Sequence, residues 1–467
     1  MSKTYIYLAL VLIATGCKVT TDIPVPQPEL PESYRSAFAT DTTTIADMKW
    51  NAFFTDSKLQ EVIRRTIASN YDMQLAIKNI EASQQLLAQS KWGQIPQLNA
   101  YVNASSTIPS ENSLNGLSIS NFLGKSHIED YATGLNLTWE ADIWGKIRSR
   151  KKEALAGYLQ NREVQHALQS KLVAMAAEGY YNMLMLDSQL QVAIKNRTLS
   201  ERTVDILSRQ FDAGQVTQLA LEQAQAQRLR AAQIVPQLEK EITLQENTLS
   251  LLTGALPGTI ERNKEISLPK GLDALPSGIP AQILGRRPDV KAKEYELAAA
   301  NARVGIAKAY MYPALNITAG GGLNSFQSNN WFNMPASLFG LVTGSLAQPL
   351  LQGRKLKSQY RIAAIEREKA VIVFRQQVLV AVGEVSDALV TIEKLQEEVD
   401  IAEQRFSTLE KAVRNADQLF ASGLASYLEV ITAQSNLLQS ELELTLLKRN
   451  QLSAEVKLYK ALGGGWK

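Results

Sequence analysis

Cysteine and histidine are almost missing from this 467-residue chain: Cys17 stands alone, and His127 and His166 are the two imidazoles. Zinc, haem and iron–sulfur centres draw on several such side chains, so no metal ligand set and no cofactor site is legible. A surplus of charge is missing as well. Lys and Arg exceed Asp and Glu by 3, and the basic residues are dispersed among acids along helical faces, which argues against nucleic acid as a partner. Past the N-terminus there is no run of the ~18 apolar residues that a membrane helix needs. Even Val371-Ile372-Val373-Phe374 runs into Arg375 and two glutamines. If the chain crosses a bilayer, it does so with strands. No Ser-His-Asp set, pair of cleft acids or phosphate-cradling glycine loop is present, and Gly463-Gly464-Gly465 reads as a flexible run. The chain is therefore not read as an enzyme.

What is present begins with a signal. Lys3 precedes an apolar stretch from Tyr5 to Ala14, and Ala14-Thr15-Gly16-Cys17 closes it with small residues ahead of the single cysteine, as an export signal should. The pattern resembles a bacterial lipobox, which implies that residues 1–16 are removed and that Cys17 is the lipid attachment site. Pro24, Pro26, Pro28 and Pro31 follow, so 17–50 reads as an extended tether. The whole chain is 45% hydrophobic, enough for a large core.

The chain also carries one pattern twice. Phe211-Asp212-Ala213-Gly214, with Leu219 and Ala224-Gln225, recurs 209 positions later as Phe420-Ala421-Ser422-Gly423, with Leu428 and Ala433-Gln434. Pro96-Gln97-Leu98-Asn99 recurs as Pro313-Ala314-Leu315-Asn316, an offset of 217. One half therefore holds a longer loop, and 51–260 and 261–467 are read as two repeats. Leu221, Ala224, Ala231, Val235, Leu238, Ile242, Leu249 and Leu252 follow a three-four spacing, and Val430, Ala433, Leu437, Ser440, Leu444, Leu447, Ala454, Leu458 and Ala461 keep it. This is a heptad seam in which small residues, alanine and serine, recur. Helical sequence without proline runs from Lys146 to about Asp212 and from Arg354 to about Ala421, each closed by glycine. Such segments make rods of about 100 Å. Shorter helices are expected from about Asp56 to Trp92 and from Pro288 to Ala309.

Between the helices the period changes to two. Leu98 to Ala104, Tyr131 to Trp139 and Leu315 to Ala319 alternate apolar with polar or small residues, though Phe339 to Gln348 alternates poorly. Hairpins over 97–142 and 314–349 are expected, each with strands long enough to cross an outer membrane. The alternation puts Leu98, Ala100, Val102, Leu135 and Leu137 on one face, toward lipid, and Asn99, Asn103 and Asn136 on the other. Loops rich in Ser, Asn and Gly, 110–124 and 324–333, join the strands. Four strands cannot close a pore, and open sheet edges in lipid cost several kcal/mol per unpaired group, so several copies must share one barrel.

Together with Leu284-Gly285-Arg286-Arg287-Pro288-Asp289-Val290, Ala298-Ala299-Ala300, Gly305 and Tyr312-Pro313, these features closely resemble the TolC-type outer-membrane efflux proteins, in the NodT or OprM-like lipoprotein branch. The resemblance covers essentially the whole mature chain. It implies an α+β membrane protein in which a long α-helical coiled-coil barrel continues into a transmembrane β-barrel shared by three chains. It implies a homotrimer in outer-membrane lipid, lipid-anchored and extending into the periplasm, that meets a periplasmic adaptor and an inner-membrane RND-type transporter and passively conducts drugs or other small molecules. Type I protein secretion and metal efflux are the alternatives, the latter less favoured because eight Met and two His give no Met- or His-lined path.

The resemblance makes the tip the adaptor-docking site: Gly214, Gln215, Val216 and Thr217 in one turn, Gly423, Leu424, Ala425 and Ser426 in the other. Family members often carry two acids a turn apart after the second glycine. Here there is one, Glu429, with an uncharged Thr432, so Leu428, Glu429 and Thr432 are the constriction candidates and Leu428 offers an apolar closure. Tyr427 is read either as lining the channel or as packed between helices. Arg286 and Arg287 are read as pairing with acids on an adjacent helix rather than as an anion site, and Trp139 and Trp144 as an interfacial belt.

Overall fold

The computed structural model describes residues 34, 44–263 and 280–467. The signal, Cys17 and most of the tether lie outside the described residues. Helices α1 (Trp50–Phe53), α2 (Ser57–Ser69) and α3 (Tyr71–Trp92) lead into β1 (Gln97–Thr107), α4 (Leu114–Leu123) and β2 (Ile128–Ala141). Then come α5 (Lys146–Asp212), α6 (Gln218–Leu252), α7 (Ile283–Arg286) and α8 (Pro288–Ala309). Strands β3 (Ala314–Ser325) and β4 (Leu338–Ala347) precede α9 (Lys355–Ala421) and α10 (Tyr427–Ala461).

Helices α5 and α9 are 67 residues each, α6 and α10 are 35 each, and both pairs begin and end 209 positions apart. The 22-residue α3 and α8 stand 217 apart. The connection between β1 and β2 is eight residues longer than that between β3 and β4, the difference between the two offsets, and it holds α4.

Two sequence expectations are corrected here. The expected helix from Asp56 to Trp92 is two helices, because Asn70 takes extended angles (φ −63°, ψ 132°), accepts from the Met73 amide at 3.2 Å and donates to the Leu252 carbonyl at 2.9 Å. It ends α2 and caps α3 at once. The region 110–124, expected as loop, contains α4, whose Ser113 hydroxyl caps Gly116 and whose Gly124 ends it at φ +61°.

The described residues group into two compact units, one from within 81–159 and 295–372, the other from within 27–80, 160–294 and 373–467. The first contains an antiparallel sheet in the order β1-β2-β3-β4. Leu98 pairs with Leu137, Ala100 with Leu135, and Asn99 with Asn136. Directly opposed residues share a face, so the register gathers the apolar set on one side and the asparagines on the other. Poor alternation does not prevent β4 from forming, and Val342 opposite Ala319 extends the apolar face.

The second unit packs helix on helix. Ala220, Ala224, Ala231, Val235, Leu238, Ile242 and Leu249 of α6 are buried, and Val235, Leu238 and Ile242 meet Met185, Leu186 and Ala193 of α5. In α10 the seam shifts where polar groups intrude: Gln434 is buried and reaches the Thr203 hydroxyl at 3.4 Å, while Ala433 and Leu447 are half-buried.

Gly463-Gly464-Gly465, read as a flexible run, is buried and tied down. Ser170 Oγ donates to the Gly464 carbonyl, and a Cβ on Gly464 would lie 2.3 Å from the Tyr459 ring. Glycine is required there by close approach rather than by freedom of motion.

Candidate functional site

Both turns joining the long helices have the same backbone. Gly214 (φ +69°) donates to Phe211 O at 2.8 Å and Gln215 to Gln210 O at 2.8 Å; Gly423 (φ +74°) donates to Phe420 O at 3.1 Å and Leu424 to Leu419 O at 2.9 Å. These paired bonds are Schellman closures, which satisfy the last carbonyls of a helix and need a left-handed residue, hence glycine. A Cβ on either glycine would meet nothing within 4 Å, so the constraint is purely conformational.

The following helices start differently. Thr217 Oγ1 accepts from the Ala220 amide at 3.3 Å and caps α6. Ser426 and Glu429 form a capping box on α10, in which a Glu429 oxygen accepts from the Ser426 amide at 2.5 Å. The acid proposed for the constriction is thus engaged with the start of its own helix. Thr432 Oγ1 donates back to Leu428 O at 2.7 Å, which leaves its hydroxyl satisfied within α10. The Leu428 side chain is 56% exposed and Leu424 77%. Tyr427 is half-buried and donates to Gln223 Oε1 of α6 at 2.7 Å, which links the opening turns of α6 and α10. Gln223 was not singled out from the sequence, although it stands 209 positions before Thr432.

Further from the tip the second unit is held by buried charge. Arg287, 4% exposed, pairs with Asp289 and Glu384, each at 2.6 Å, and donates to Ala461 O at 3.0 Å. Burial alone would lower the Arg287 pKa and raise that of Asp289, but their ion pair outweighs it and holds the guanidinium up and the carboxyl down. Arg286 pairs with Asp47 at 2.7 Å. Both arginines are structural, as the sequence reading had it. Glu455 is different: it is 5% exposed, its Oε1 has no partner among the described residues, and burial pushes its pKa up to about 8.

In the first unit, the apolar sheet face is open. Leu98, Val102, Leu135, Leu338, Val342 and Leu346 are each at least half exposed, an area of bare hydrocarbon that a water-facing sheet does not present. Trp139 Nε1 donates to Gln94 O at 2.9 Å and Trp144 Nε1 to Pro313 O at 2.6 Å, which anchors both indoles at one end of the strands. Among the described residues no group of three or more His, Cys, Asp or Glu side chains could hold a metal, and no helix is long and apolar enough to cross a membrane.

One unit thus ends in two glycine-closed helix turns, and the other bears a sheet with an exposed apolar face. The chain belongs to the outer membrane efflux protein family, whose model matches residues 62–255 and 279–464. It is 26% identical to the cation efflux system protein CusC of Escherichia coli O6:H1, covering 97% of each chain. It is 27% identical to the toluene efflux pump outer membrane protein TtgF of Pseudomonas putida, covering 100% of this chain and 98% of that one. The solved outer-membrane channel OprN has the same fold, with a TM-score of 0.88 at 23% identity over 96% of this chain and 100% of that one. The protein is an outer membrane efflux channel, a member of a family of transport proteins.

Proposed function

We propose that the chain is the outer-membrane conduit of a tripartite efflux pump, working as a homotrimer in which three four-stranded sheets close one twelve-stranded barrel. The observation that carries this reading is the sheet itself: β1 and β4 are unpaired edges and one face is exposed hydrocarbon. In lipid each bare edge amide costs several kcal/mol, a cost that edge-to-edge pairing between copies removes. The 209-residue offset shared by both long-helix pairs supports reading 51–260 and 261–467 as repeats of one unit.

In this reading Cys17 carries lipid and tethers each chain to the membrane. The Gly214–Thr217 and Gly423–Ser426 turns meet a periplasmic adaptor, itself coupled to an inner-membrane transporter of the RND type. Leu428, Glu429 and Thr432 surround the narrow end. Small molecules are the cargo, and no side chain of the conduit needs to recognise them. The relatives support this: CusC is named for cations and TtgF for toluene, yet this chain matches both along nearly their whole length. Few Met and His therefore do not argue against metal ions, and choice of cargo belongs to the pump.

Reconstituted protein should migrate as a heat-resistant trimer with strand signal in circular dichroism, and should conduct across a planar bilayer. A monomer that conducts nothing and stays in the aqueous phase after removal of detergent would refute the conduit.

A further inference from the structure

The end of the sheet from which α5 and α9 leave carries a charge pattern that helix formation does not explain. Residues 140–152 hold five basic and two acidic side chains, and residues 348–361 hold four basic and no acidic ones. Apart from Arg354, which precedes α9, the cations lie in the opening turns of α5 and α9, and neither first turn contains an acid. That is the positive end of the helix dipole, where cations are unfavourable. Lys146 with Arg150, Arg148 with Lys152, and Lys357 with Arg361 also set like charges four apart, which weakens a helix further.

Internal pairing absorbs only part of this. Lys146 pairs with Glu140 and Arg148 with Asp142, and Arg150 donates to the Tyr310 hydroxyl. Lys151, Arg354, Lys355, Lys357 and Arg361 are exposed. Beside them Leu350 and Leu351 are 86% and 97% exposed, and Trp92, which the register places at the same end of the sheet, is 66% exposed. The opposite end also exposes large apolar side chains, Phe122 and Phe332 among them. Yet residues 108–130 and 326–337 contain one Lys against three acids and no Arg. Apolar belts mark both ends of the sheet; cations mark one.

We propose that these cations form a collar that binds the anionic headgroups of phospholipids in the leaflet at the helical end of the sheet. The occupant follows from charge and continuity. The bare apolar face of the sheet runs into Leu346, Leu350 and Leu351, which enter the acyl boundary, and Arg354, Lys355 and Lys357 follow within one turn, at headgroup height. Phosphate charge at that position neutralises the like-charge pairs and reverses the unfavourable dipole contact. The collar fixes the depth of the barrel and gathers anionic lipid around it.

The test uses the full chain reconstituted in mixed phosphatidylcholine and phosphatidylglycerol bilayers, with bromine on the acyl chains of one lipid at a time. Bromine quenches tryptophan on contact, so the two experiments give the relative affinity of the protein surface for the anionic lipid. A several-fold preference for phosphatidylglycerol is expected near 0.01 M salt, falling toward one at 1 M as the screening length shrinks from about 30 to about 3 Å. The combined variant Arg354→Gln, Lys355→Gln, Lys357→Gln and Arg361→Gln should lose most of that preference, and Lys125→Gln, at the other end, should keep it. Equal quenching by the two lipids in the wild type at low salt overturns the collar, as does a preference that neither salt nor the combined variant reduces. The salt titration needs no variant, so a misfolded variant does not shield the proposal.

The collar rests on the strands being the membrane segment, and conductance separates the two ideas. Loss of both conductance and heat-resistant oligomer in the wild type refutes the conduit. Normal conductance without lipid preference refutes the collar alone.

Discussion

Over its first two turns α10 is exposed at Leu428, Glu429 and Thr432 and is tied mainly to residues within five positions of itself, whereas from Gln451 to Val456 six consecutive side chains are buried. Burial on every side leaves polar groups short of partners: Gln451 Oε1, Ser453 Oγ and Glu455 Oε1 have none among the described residues. There α10 is met by Arg287 at the Ala461 carbonyl, and the Tyr459 hydroxyl donates to Met48 O at 2.6 Å. The Tyr459 ring stacks on Phe53 at 4.2 Å. One end is thus secured by local caps worth about 1 kcal/mol each, the other by long-range contacts whose loss exposes buried charge. Local caps can be exchanged cheaply for contacts with another protein, as the docking proposed above would require. The buried end is suited to holding the helices in register while that happens.

The largest expected effect comes from the buried end. Arg287→Met leaves Asp289 and Glu384 facing each other without their cation, and should destabilise the chain by about 3–5 kcal/mol, read as a lower urea midpoint. If this variant unfolds like the wild type, the contrast between the two ends is wrong.

Glu455 gives the second effect, with the opposite sign. Its carboxyl titrates near 8 in the fold instead of near 4.5, so the folded chain holds a proton that the unfolded chain has released. Stability should therefore be highest below about pH 4.5, as far as this group is concerned, fall as pH rises to about 8, and then level off. Glu455→Gln removes that slope and should stabilise the protein by about 3 kcal/mol at pH 7. Denaturant titrations at pH 5 and pH 8 that differ equally in wild type and variant would show that Glu455 is not the group responsible.

At the tip the expected effects shrink. Gly214→Ala and Gly423→Ala place a Cβ in open space but in a left-handed conformation, at a cost of about 1 kcal/mol each. The loss should appear as faster amide exchange at the turn with an unchanged global midpoint. Equal acceleration throughout α5 and α9 would mean that the turns are not local units.

Much of this architecture was legible. Gly214 and Gly423 marked the ends of both long helices because left-handed closure leaves few other choices, and alternation at Leu98 to Val102 set the sheet faces because strand period is fixed by geometry. What escaped was decided by tertiary context. Composition marked Gly463-Gly464-Gly465 as flexible, whereas the Tyr459 ring requires a residue without a Cβ. Low helix propensity hid α4, although Ser113 and Gly124 are ordinary start and stop signals. The heptad pattern could not show that Gln451 and Glu455 would be buried, since burial on a second face depends on which helices arrive there. Glu429 draws the eye by its charge, yet its place three residues after Ser426 is the signature of a capping box.

That capping box makes the smallest prediction the most discriminating. Glutamine serves at the third helical position of a capping box as glutamate does, so Glu429→Gln should keep the start of α10 and change stability by only a few tenths of a kcal/mol, from the dipole. A change in ion selectivity can then be assigned to charge rather than to a disturbed tip. With three copies around one axis, Glu429 would set a ring of carboxylates that favours cations, and Glu429→Gln should reduce cation preference in a planar bilayer. Glu429→Ala serves as contrast, because it removes the cap as well and should speed amide exchange at residues 426–430. Leu428→Ala should raise conductance if the exposed leucines close the resting tube. If Glu429→Gln and Leu428→Ala both leave conductance and selectivity at wild-type values, the constriction lies elsewhere, and Glu429 is solely the residue that starts α10.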